Sequence, residues 1–162
     1  MMKALGGLAA LAPLGLAGPA AAADWYLTSE SAYATNVSFV DKDSIHASGT
    51  FRQAQLYMVM AEADESGAAA MDVVMEYDCS EPRRRLIHIV GFDEAGRRLH
   101  DEPGSRTWAP VAPGTQDSAS RDFVCSRGRS PDVSASYGAA YPFARARALL
   151  ARHRAEDLRN SL

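Results

Sequence analysis

Five arginines bracket a single apolar run. Arg83, Arg84 and Arg85 precede Leu86–Phe92, and Arg97 and Arg98 follow the turn Asp93-Glu94-Ala95-Gly96 that closes it. The chemistry on offer is charge recognition, because a guanidinium presents a planar fork of donors to carboxylate or phosphate oxygens. The chain carries 17 Lys+Arg against 20 Asp+Glu, a formal charge of −3. A basic island on such an acidic body would steer an acidic partner such as a glycan, a lipid head group or a host protein. A hairpin folded back on itself is expected to bring the two groups to the same sheet edge or to neighbouring rows. The same arginines also fit a solvated edge whose charge discourages pairing with other chains. Both readings stand.

Other chemistry is thin. His46, His88, His100 and His153 are scattered, with no H-x-x-H or H-E-x-x-H spacing. There is no G-x-S-x-G elbow, no Gly-rich phosphate loop and no dinucleotide fingerprint. The acidic runs Asp41-Lys42-Asp43 and Glu62-Ala63-Asp64-Glu65 lack the alternating layout of a calcium loop and read as turns. No metal site or cofactor is expected. The most a catalytic reading can assemble is His88, Asp78 and Arg85, which form no motif. The acidic balance argues against a nucleic-acid module. Arg145, Arg147, Arg152, Arg154 and Arg159 near the end sit among alanines. A basic helix needs a strong apolar face to lie on a membrane, so membrane contact is not expected.

The first residues set the compartment. Met1-Met2-Lys3 is followed by a Leu/Ala/Gly run to Ala17, then Gly18-Pro19 and Ala20–Ala23. A short positive start, a brief apolar core and small residues at −3 and −1 make a cleavable signal peptide, residues 1–23. Removing it takes away Lys3 and leaves the remainder slightly more acidic. No cysteine follows the apolar run, so no lipid anchor is expected, nor is a second apolar run long enough to span a bilayer. The expected location is the periplasm or the medium. In an oxidising compartment the two cysteines, Cys79 and Cys125, are expected to pair. Closing a loop of that length stabilises a fold by about 4 kcal/mol in the chain-entropy model.

Positioning these residues is the task of an antiparallel sheet. Trp25–Leu27, Val37–Val40, Phe51–Ala61, Met71–Cys79, Arg85–Phe92 and Arg97–His100 are β-prone runs separated by polar or Gly-containing turns. The fourth is clearest. Met71, Val73, Met75, Tyr77 and Cys79 alternate with Asp72, Glu76 and Asp78, which means a half-buried strand with Cys79 on its apolar face. Thr115 can cap a short helix over about 116–126 that carries Phe123, Val124 and Cys125 on one side. Ser126–Gly138 reads as a flexible linker. Tyr141-Pro142 opens a second helix to about Asn160, whose shallow apolar stripe predicts weak docking or a solvated tail. The expected fold is therefore α+β. It has an antiparallel sheet of five to six strands, a helix stapled to it by a disulfide, and a helical tail. Its organisation is a domain over 24–126 and a linker and Arg/Ala-rich tail over 127–162.

Several pieces, taken in order, carry a resemblance. They are Trp25; Phe39-Val40-Asp41-Lys42-Asp43-Ser44-Ile45; the turn at Gly49; Asp78-Cys79 with Arg83 and Arg85; and Phe92-Asp93-x-x-Gly96. Trp108-x-x-Val111-x-Pro113-Gly114-Thr115 and Phe123-Val124-Cys125 close the set. Together, from Trp25 to Cys125, the chain resembles the surface-adhesin protein E-like family of Gram-negative secreted and envelope proteins. That resemblance implies a mostly antiparallel sheet with a tethered helix. It also implies a non-catalytic adhesin-like role toward matrix or serum proteins of a host, or toward an envelope component. The alternatives are a structural periplasmic envelope component and a small envelope enzyme. The family's adhesive segment maps onto no motif here, which leaves Arg83, Arg84, Arg85, Arg97 and Arg98 as the candidate binding surface.

Overall fold

A computed structural model describes residues 22–31, 33–131, 133 and 135–161. The expected signal peptide lies outside the described residues except for its last two positions. Eight strands form one antiparallel sheet: β1 (Trp25–Glu30), β2 (Asn36–Asp41), β3 (His46–Ser48), β4 (Phe51–Met60), β5 (Ala70–Asp78), β6 (Arg83–Phe92), β7 (Arg98–Pro103) and β8 (Ala109–Pro110). Six of them run in the order β1-β2-β4-β5-β6-β7, while β3 adds to β4 and β8 to β6. The helices are α1 (Gln116–Cys125) and α2 (Phe143–Asn160).

Strand alternation divides the core in two, because successive side chains leave a strand on opposite faces. On one face Val40, Ala54, Leu56, Val73, Met75 and Tyr77 pack against Phe123 and Val124 of α1. On the other, Trp25, Val37, Phe39, Tyr57, Val59 and Ala70 pack against Ala146, Leu149 and Leu150 of α2. The sheet is thus the middle of three layers. The disulfide joins Cys79, just past β5, to Cys125 at the end of α1, with Cα atoms 5.6 Å apart. Thr115 caps α1 as its position suggests, accepting from the Ser118 amide at 3.3 Å.

The tail departs from expectation. A helix whose own stripe is shallow buries Leu149 and Leu150 because the sheet beneath it is unusually aromatic, with Trp25, Phe39 and Tyr57 waiting for a cover. The stretch read as a linker is tied down at its far end. The Trp25 amide donates to the Gly138 carbonyl at 3.2 Å, and the Tyr137 amide donates to the Trp25 carbonyl at 2.7 Å. Backbone beyond α1 therefore extends the edge of β1.

Candidate functional site

The first half of β6 is where the sequence concentrated its arginines, and alternation splits them at once. Arg83 and Arg85 point to the face that α2 covers elsewhere, in register with Asp78 and Glu76 of β5. Arg84 points to the α1 side, where its Nε donates to Asp117 in the first turn of α1 at 2.6 Å. Arg97 and Arg98 lie at the other end of β6, since Arg98 pairs with Phe92 while Arg83 pairs with Asp78. Ten residues of strand at about 3.3 Å each keep the two groups far apart. The expectation of one basic patch at a shared edge is corrected: the hairpin turn sits beside Arg97, and Arg83 is a full strand away from it. Each group also meets its own carboxylate, Arg97 with Asp93 at 2.7 Å and Arg98 with Asp101 at 2.5 Å.

Around Arg83 and Arg85 the structure adds a residue the sequence had not nominated. After β7 the chain runs on along the same edge of β6 through Gly104, whose amide donates to the Ile87 carbonyl at 2.8 Å. A Cβ on Gly104 would stand 2.3 Å from the Leu86 carbonyl oxygen, so only glycine allows this approach. That path delivers β8 to β6, with Ala109 opposite Arg84. It thereby lays Trp108 over the neighbouring arginines. The Trp108 ring centre is 4.9 Å from the Arg83 guanidinium carbon and 4.7 Å from that of Arg85. Phe51 extends the aromatic surface, its ring centre 5.5 Å from that of Trp108. The available signal was a lone tryptophan in a Gly- and Pro-rich loop, but nothing local says which strand it lies beside.

Buried carboxylates fix the arginines from behind. Asp78, 2% exposed, accepts from Arg83 through Nε at 3.0 Å and Nη2 at 2.8 Å. Its other oxygen accepts from the Ser80 hydroxyl at 2.6 Å and from the amides of Ser80 and Glu81. The Ser80 hydroxyl foremost, then those amides and Arg83, hold the Asp78 carboxyl well below the usual carboxylate range. Glu76 accepts from Arg85 Nε at 2.6 Å and from Gln53 Nε2 at 2.7 Å. The arginine side chains nonetheless remain 38% and 31% exposed. What reaches solvent is a tryptophan flanked by two oriented guanidiniums, with the exposed Glu81 carboxylate 3.3 Å from Arg83 Nη1 at the rim. Tryptophan and arginine are the residue types that most often carry binding energy at protein interfaces.

The unclustered catalytic trio is not assembled. His88 bonds Asp101 of β7 at 2.7 Å, whereas Asp78 belongs to Arg83, five residues away along β6. Among the described residues no three His, Cys, Asp or Glu side chains converge as metal ligands. No helix among them is long and apolar enough to cross a membrane.

Fold and site together define a disulfide-stapled antiparallel sheet domain that presents an arginine–aromatic edge. The model of the surface-adhesin protein E family matches residues 25–126, and the chain belongs to that family. Membership suggests a surface adhesin, a non-enzymatic kind of protein that binds host or surface components. The match ends one residue after α1, so α2 lies outside it while Trp25, Phe39 and Tyr57 beneath that helix lie within it. No curated protein is similar enough to the chain to match it.

Proposed function

We propose that this chain is an exported, non-catalytic binding module of the bacterial envelope, and that Trp108 with Arg83 and Arg85 is its contact surface for an acidic partner. The observation that carries this reading is the stack of Trp108 against both guanidiniums at 4.9 and 4.7 Å. Stacking and buried carboxylates fix the arginines in one orientation, so little side-chain entropy is lost when a partner's carboxylate arrives. Family membership supports a host matrix or serum protein, or an envelope component, as that partner.

Arg84, Arg97 and Arg98, also nominated from the sequence, serve this surface less directly. Arg84 braces α1, and the other two form a separate charged rim at the far end of β6. The test is crosslinked capture from native periplasm, with immobilised matrix and serum proteins assayed separately. Trp108→Ala and the double variant Arg83→Gln/Arg85→Gln are expected to lose capture, while Arg98→Gln retains it. Capture that survives both changes overturns the assignment and returns the arginines to a solvated, charge-protected edge.

A further inference from the structure

The same sheet face carries a second concave site at its other end. Tyr57 of β4, Phe92 of β6, Tyr141 just before α2 and Phe143 at its start wall a pocket of about 420 Å³, closed on one side by the turn Asp93–Gly96. Tyr57 and Tyr141 meet with ring centres 4.7 Å apart at 50°. Trp25 stands behind them, 5.9 Å from Tyr57 and 5.2 Å from Tyr141. Aromatic faces carry negative potential and attract cations, most strongly where water is excluded. One residue strengthens that field. Asp72, the cross-strand partner of Tyr57, accepts from the Tyr141 hydroxyl and from Gln55 Nε2 at 2.6 Å.

Both of those donors are neutral, so the charge of Asp72 stays uncompensated by them. The turn's own acids differ: Asp93 is held by Arg97 at 2.7 Å and Glu94 by Arg147 at 3.1 Å. Burial foremost, and then Asp72, push the Tyr57 phenol up to about 12 and raise that of Tyr141 as well. Neither ring becomes a phenolate near neutral pH. An anion is disfavoured here, and an uncharged apolar guest would gain nothing from Asp72.

We propose that this pocket binds a small quaternary ammonium group, of the size of the choline head. A primary ammonium is a poorer fit, because it must exchange its water for acceptors. The carboxylates in the wall, Asp93 and Glu94, are already paired with Arg97 and Arg147. Methyl groups around a quaternary nitrogen need no acceptors and pack against rings.

The test titrates the purified protein with choline chloride by calorimetry and follows the choline methyl protons by NMR. The neutral isostere 3,3-dimethyl-1-butanol and N-acetyl-lysine amide are run in parallel. Saturable choline binding is expected, about tenfold tighter than the isostere, with the methyl signal moved upfield by the rings. Tyr141→Ala should abolish it, Tyr141→Phe should keep most of it, and Asp72→Asn should weaken it about fivefold. Arg85→Gln, at the opposite end of β6, should leave it unchanged, which separates this site from the arginine edge. Absence of saturation or of the upfield shift overturns the proposal. So does equal binding of the isostere, wild-type affinity in Tyr141→Ala and Asp72→Asn, or tighter binding of the lysine derivative, which would make the pocket a side-chain receptor.

Discussion

Arg85 and Trp108 stack across the join between β6 and β8, guanidinium carbon 4.7 Å from ring centre, while Glu76 holds the same guanidinium through Nε at 2.6 Å. A buried carboxylate on one side and an aromatic plane on the other leave that arginine little freedom. The two tryptophans of the chain should report this. Trp25 is 1% exposed, whereas Trp108 reaches solvent between two cations. Iodide is therefore expected to quench Trp108 and spare Trp25, and caesium to quench far less than iodide. Arg83→Gln/Arg85→Gln should shrink the difference between the two quenchers. Equal quenching by both ions in the wild type would contradict the stacked arrangement.

The Cys79–Cys125 bond ties the end of α1 to the end of β5. Replacing either cysteine by serine is expected to lower stability by about 2–5 kcal/mol, read from denaturant midpoints. Thiol titration of the unfolded, non-reduced protein should find no free thiol; two per chain would refute the link.

The docking of α2 predicts that the tail is part of the folded unit. Leu150, 2% exposed between α2 and the sheet, should cost about 2–5 kcal/mol on replacement by alanine. Ending the chain after Gly138 should uncover Trp25, shift its emission to longer wavelength and lower Tm. An unchanged Tm after truncation would mean that α2 does not cover the aromatic face.

Acid should act through Asp78. Its folded-state pKa lies below the ordinary value of 3.8, chiefly through the Ser80 hydroxyl. A depressed carboxylate stabilises the fold above its unfolded pKa, and that contribution is lost as pH falls through the folded value. Stability should therefore decline below about pH 4. Asp78→Asn should be less stable than wild type at pH 7, with the gap closing in acid. A gap that stays constant from pH 7 to pH 2 would remove Asp78 from the explanation.

Much of this protein is legible in the order of its residues, wherever the physics is local. Alternation from Met71 to Tyr77 reports one buried face of β5 because a strand's side-chain period is set by its own backbone. Thr115 announces the start of α1 because a cap bonds amides only three residues away. Two cysteines admit one intramolecular pairing, and the ordered pieces from Trp25 to Cys125 already resemble the family to which the chain belongs.

Tertiary structure decided the rest. Three consecutive arginines look like one patch in sequence, yet the strand's pleat turns Arg84 toward Asp117 and leaves Arg83 and Arg85 with Trp108. The length of β6, invisible until its pairing with β7 is known, carries Arg97 and Arg98 to the far end. Likewise α2 docks because of Trp25, Phe39 and Tyr57 on distant strands rather than because of its own modest stripe. Burial depends on both surfaces of a contact, and a sequence read one segment at a time displays only one of them.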